Sequence, residues 1–160
     1  MTKTKKLLPI LLLIIILATV AFIWSNSMPS IPESKAESLE VVEVVKPVLE
    51  PIVGPGNVTD HLVRKLAHFV EFGVLGCELM QLVIVRKRRG VQPLINCLFA
   101  GLAVAVIDET IQIFSGRGSQ VQDVWLDFAG AATGLFFVLL ISFIVRAIRK
   151  RRQSQTPQEK

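Results

Sequence analysis

The chain reads as an all-α, polytopic membrane protein with four transmembrane helices. Three observations predict this class. Hydrophobic residues make up 51% of the 160 positions, more than a soluble domain of this size carries. The apolar residues gather in four long runs instead of spreading along the chain. The basic residues cluster at the ends of those runs. The formal charge of +5 is therefore read as a set of topology signals and not as a nucleic-acid surface. Cys77 and Cys97 lie within apolar runs, where thiols behave as small hydrophobes, so no disulfide framework is expected.

The first span covers about residues 7–24, behind Lys3, Lys5 and Lys6. At ~1.5 Å per residue it just crosses a hydrocarbon core of ~30 Å. It exceeds the usual ~7–15-residue core of a signal peptide, which favours an uncleaved anchor. An extracytoplasmic loop, 27–61, follows. It carries Glu33, Glu37, Glu40, Glu43, Glu50 and Asp60 against Lys35 and Lys46. Valines and leucines between Ala36 and Leu49 fall at three- and four-residue steps. This segment reads either as an amphipathic helix on the membrane surface, ended near Pro47, or as a mobile loop. Gly54-Pro55-Gly56-Asn57 is a turn, with Thr59 or Asp60 as the next N-cap.

The remaining spans cover about 62–85, 94–115 and 121–145. Arg86-Lys87-Arg88-Arg89-Gly90 ends the second. Gly116-Arg117-Gly118-Ser119-Gln120 turns between the third and fourth. The fourth runs into a basic tail, 146–160, that is expected to be cytoplasmic and disordered at its end. Basic clusters at the N-terminus, in the second connection and after the fourth span all fall on one side. The positive-inside rule puts that side, and both termini, in the cytoplasm.

Charges within such runs are costly, and they ordinarily face a bundle interior. The stretch 108–127 holds Asp108, Glu109, Gln112, Arg117, Asp123 and Asp127. On the second span Lys65, His68, Glu71, Leu75 and Glu78 share one helix side. Gly101, Ala105, Asp108, Gln112 and Ser115 form a stripe on the third, and Asp123, Asp127, Gly130, Ala131 and Gly134 another on the fourth. Small residues let helices approach closely, and Gly130-x-x-x-Gly134 has the spacing known for it. His68, Glu109 and Asp127 each lie ~9 Å inside their outer helix ends, by helical rise. Three helices are thus expected to gather Lys65, His68, Glu71, Asp108, Glu109, Gln112, Arg117, Asp123 and Asp127 around one outward-facing polar pocket.

Each of these residues also has a structural reading. His68 is a proton carrier, a metal ligand or a fixture bonded to Glu109 or Asp127. Glu71 and Glu109 suit acid–base work, or are neutralised by Lys65 and Arg117. Arg117 clamps a phosphate or carboxylate, or snorkels to the interface. Asp123 caps its helix or serves the pocket. Ser25, Asn26 and Ser27 close the first span and either complete the pocket wall or simply end the helix. No spaced ligand motif points to a metal, and no cofactor is implied.

In order, Lys65-x-x-His68-Phe69-x-x-Phe72, Glu109-x-x-Gln112-x-Phe114, Arg117, Asp123-Val124 and Asp127-x-x-Gly130-x-x-x-Gly134 resemble the VanZ-like family. With the four-span layout the resemblance covers about residues 7–145, the expected membrane domain. The family often has asparagine at the position of Asp127 and an acid at that of Arg64, so the local charge differs here. The resemblance implies a multi-pass protein of the bacterial plasma membrane, related to an accessory of teicoplanin-type glycopeptide resistance. It implies no biochemical mechanism.

The expected role is an envelope factor whose pocket binds a membrane lipid, a lipid-linked cell-wall precursor or another anionic ligand. The alternative is a membrane-embedded enzyme acting on a polyprenyl-phosphate or phospholipid headgroup. That reading needs a nucleophile or metal, and no recognised catalytic motif is present. A proton-coupled carrier is disfavoured, because only Gln81 is polar between Glu78 and the cytoplasmic end of its span.

Overall fold

The computed structural model describes residues 3–28, 31–116 and 120–155. They form α1 (Lys3–Ser27), α2 (Ile31–Val53), α3 (Asp60–Val85), α4 (Gln92–Phe114) and α5 (Val121–Gln155), with no strand among them. All but α2 are long and apolar enough to cross a membrane.

Local chemistry sets the ends. Thr59 is extended, and its hydroxyl accepts a hydrogen bond from the Leu62 amide at 3.2 Å, satisfying one orphan donor of α3. At the other end Arg88 donates to the Val83 carbonyl and Lys87 to that of Ile84. Lys87 takes a left-handed φ of 54°. This is a Schellman closure, built here on lysine where glycine is usual. Pro93 sits in the first turn of α4, where a missing amide proton costs nothing. Gly54 and Gly116 adopt positive φ just after α2 and α4.

Two boundaries differ from the sequence reading. α2 does not stop near Pro47 but runs through Pro47 and Pro51 to Val53. A proline forfeits one backbone hydrogen bond, and packing along α3 supports the helix past it. α2 carries an apolar stripe of Val41, Val44, Val48 and Ile52 that stays exposed. α5 continues beyond the expected end near Val145 through the basic segment to Gln155. Nothing in 146–155 breaks a helix, since the segment has neither proline nor glycine.

The four long helices run alternately up and down. One end of the bundle gathers Ser27, the start of α3, the end of α4 and the start of α5. The other gathers the basic loop 86–89 and the basic end of α5. The most extensive contact is α3 against α5, and its side chains are small. A Cβ placed at Gly76 would overlap the Ala131 carbonyl. One at Gly130 would meet the Phe69 carbonyl, and one at Gly134 the Gly73 carbonyl. Glycine is required there because two helix backbones touch. Ile16, Ile23, Phe72, Leu75, Ala105 and Ala131 form one core cluster beside this contact; Met80, Cys97 and Leu135 form a second nearer the basic end. Large apolar side chains elsewhere, such as Leu17, Phe99, Phe136 and Phe143, are exposed. Hydrocarbon solvates an outward leucine as well as a core does, so lipid contact resolves this exposure.

Candidate functional site

Asp108 is at the centre of the site. It is fully buried, 0% exposed, four residues before Gln112 on the inner stripe of α4. The Gln112 amide donates to Asp108 Oδ2 at 2.8 Å and to Glu109 Oε1 at 3.3 Å. From α1 the Ser27 hydroxyl donates to Asp108 Oδ1 at 2.7 Å. The Ser115 hydroxyl closes the same corner on the Ser27 backbone carbonyl at 3.0 Å. A carboxyl group buried in apolar surroundings needs such partners, because an unmade hydrogen bond is costly away from bulk solvent.

His68 reaches the centre from α3, with Nδ1 3.7 Å from Asp108 Oδ2. That separation is too long for a direct hydrogen bond. Asp127 approaches from α5 and is 1% exposed; its Oδ2 has no hydrogen-bond partner among the described residues. Donor atoms of His68, Asp108 and Asp127 lie within 4.8 Å of one another. The carboxylates of Asp108, Glu109, Asp123 and Glu71 all fall within coulombic reach of Asp127.

Around this centre lie two further contacts. Lys65 Nζ sits 2.6 Å from Asp123 Oδ1, both side chains partly exposed at the rim. Asn26 donates to Glu71 Oε1 at 2.9 Å. Deeper on the same α1–α3 seam, the Thr19 hydroxyl donates to Glu78 Oε1 at 2.9 Å.

Of the residues expected to meet, His68, Asp108, Glu109, Gln112 and Asp127 cluster at the centre, Lys65 and Asp123 at the rim and Glu71 at the flank. Arg117 lies outside the described residues. The partners differ from the sequence reading in two respects. Lys65 pairs with Asp123, across the α3–α5 contact, and not with Glu71 or Glu109. Asp108, not named beforehand as a partner of His68 beside Glu109 and Asp127, stands 3.7 Å from its Nδ1. Ser27 and Asn26, weighed in the sequence only as a wall or a helix end, make direct hydrogen bonds to two of the acids. The available signal was their position: a polar triplet that closes an otherwise apolar span.

The fold and site define a four-span helical membrane protein with a buried acid–histidine cluster at one end. The chain belongs to the VanZ/LLP1 family, whose model matches residues 8–144. No curated protein and no solved structure matches it.

Proposed function

We propose that this protein is an envelope factor of the bacterial plasma membrane. In this reading its polar site faces outward and engages the headgroup of a membrane lipid or lipid-linked cell-wall precursor, lowering susceptibility to teicoplanin-type glycopeptides. The observation that carries the reading is the position of the cluster. His68, Asp108 and Asp127 lie at the end of the bundle opposite the basic clusters 86–89 and 146–152, which the positive-inside rule assigns to the cytoplasm. A buried polar site at that level meets the headgroups of the outer leaflet. Lys65 at the rim, shared with Asp123, and Arg117, which the sequence places between α4 and α5, are the cationic residues that would favour an anionic headgroup. Family membership supports the link to glycopeptides.

The test is susceptibility. Expression of the chain in a sensitive host should raise the teicoplanin concentration needed for inhibition several-fold, with vancomycin run in parallel. His68→Ala and Asp108→Asn should abolish that rise while the protein remains in the membrane. Unchanged susceptibility to both drugs on expression and on deletion sinks the proposal. Lipid mass spectrometry of purified wild type and Arg117→Ala then asks whether an anionic lipid accompanies the site. The convergence of one imidazole with two carboxylates favours a second reading, hydrolysis or transfer at a polyprenyl-phosphate or phospholipid headgroup. Turnover of such a substrate, lost in Glu109→Gln with binding retained, would select it.

A further inference from the structure

We infer that His68, Asp108 and Asp127 bind one divalent cation of the zinc or manganese kind. Each ligand comes from a different helix, α3, α4 and α5, so no spacing within the sequence announces the set. The fold alone brings their donor atoms within 4.8 Å of one another.

Four observations converge on an ion. The 3.7 Å between His68 Nδ1 and Asp108 Oδ2 is too long for a hydrogen bond. It is close to the separation of two ligands on one metal, which is about 3.0–3.6 Å when each bond is ~2.0–2.2 Å. Asp127 is 1% exposed, and its Oδ2 meets no hydrogen-bond donor among the described residues. A buried carboxylate oxygen in that state calls for a proton or a cation. Lys65 does not serve it, being engaged by Asp123 at 2.6 Å. Finally, Asp108 is already oriented by Ser27 and Gln112, the outer-shell arrangement that holds a ligating carboxylate in place.

The donor set decides the class of ion. One imidazole and two carboxylates suit zinc or manganese better than calcium or magnesium, which favour all-oxygen sites, and better than copper(I), which favours sulfur. Three protein ligands leave coordination positions open for water or an anionic headgroup. A divalent cation there would offset the charge of its two carboxylate ligands and give a phosphate oxygen a positive centre to meet. The inference about the ion stands without the glycopeptide reading, because it is measured on the purified protein.

The experiment strips the full-length, detergent-purified protein with chelator and titrates it with zinc chloride and, separately, manganese chloride. Bound ion is counted by elemental mass spectrometry, and manganese is followed by paramagnetic resonance. The expected result is one ion per chain. Affinity should fall by at least about 100-fold in Asp127→Asn and His68→Gln, more than outer-shell changes ordinarily cause. It should be unchanged in Glu78→Gln, whose partner is Thr19. Nitrogen coupling to manganese bound by wild type reads the imidazole directly, should either variant fail to fold. Absence of stoichiometric zinc and manganese on the wild type overturns the inference. So does binding that Asp127→Asn leaves intact, or bound manganese without nitrogen coupling. A cation confirmed beside unchanged drug susceptibility would overturn only the glycopeptide role.

Discussion

Asp108 illustrates what a single side chain needs at this depth. Its two oxygens take donors from two different helices, Ser27 on α1 and Gln112 on α4. Removing one donor leaves a buried acceptor short of a partner, which costs about 1–3 kcal/mol. Ser27→Ala should therefore lower thermal stability in detergent by about that much, and Ser25→Ala, exposed and bonded only to the Phe22 carbonyl three residues back, should change it little. Equal effects of the two would remove Ser27 from the site. Charged members of the cluster were legible in the sequence because a charge in an apolar run is expensive and therefore conspicuous. Ser27 and Asn26 were legible only as a pocket wall or a helix end, since an uncharged polar residue at the end of a span costs little and does not announce its partner. The Lys65 partner was illegible for a different reason. Glu71 lies on its own helix and Asp123 on another, and only the closeness of α3 to α5 decides between them.

At the scale of the element, the α3–α5 contact explains why the acids converge. Its glycines are not interchangeable, although Gly73 and Gly76 stand one turn apart on α3. A Cβ at Gly73 would meet the Gly130 carbonyl oxygen at 3.7 Å, an ordinary contact, whereas one at Gly76 would overlap the Ala131 backbone. Gly73→Ala should therefore be neutral or stabilising by up to ~1 kcal/mol, the usual gain of alanine in a helix. Gly76→Ala should lose about 1–3 kcal/mol through forced separation of the helices. Unfolding of the two variants in the same detergent checks the contrast, and similar values would mean that the helices do not touch there. Because Asp127 lies one turn before Gly130 and Ala131, separation at Gly76 should also loosen the site. The sequence pointed to this contact through Gly130-x-x-x-Gly134 but did not assign its opposite face to Gly73 and Gly76. The end of α2 was misjudged because proline's local cost was weighed without the packing along α3 that offsets it.

Over the whole molecule, the charge distribution separates the two ends. Arginines and lysines collect at 86–89 and 146–152, while the acids collect around Asp108 and in α2. Each misplaced basic residue costs energy during insertion, so the asymmetry selects one orientation. In a background with Cys77 and Cys97 replaced by alanine, a cysteine at Asn57 should react with a membrane-impermeant maleimide from outside intact cells. One at Gly90 should react only after permeabilisation. The reverse pattern would turn the site toward the cytoplasm and end the proposal of an outer-leaflet ligand. α2 belongs to this scale as well. Its exposed Val41, Val44, Val48 and Ile52 line one side, an apolar face of the kind that interfacial helices turn to lipid.

By itself, the sequence determined the number of spans, their approximate limits and the residues too costly to face lipid. Each of these follows from transferring one segment between water and hydrocarbon, a property that a segment carries locally. Only the tertiary structure decided which helix backbones touch, and hence that Lys65 meets Asp123, that Ser27 holds Asp108, and that His68 and Asp127 converge on it. Those pairings depend on how each helix is rotated and how closely it approaches its neighbours. Steric fit at Gly76, Gly130 and Gly134 sets both, and it exists only when the helices are together.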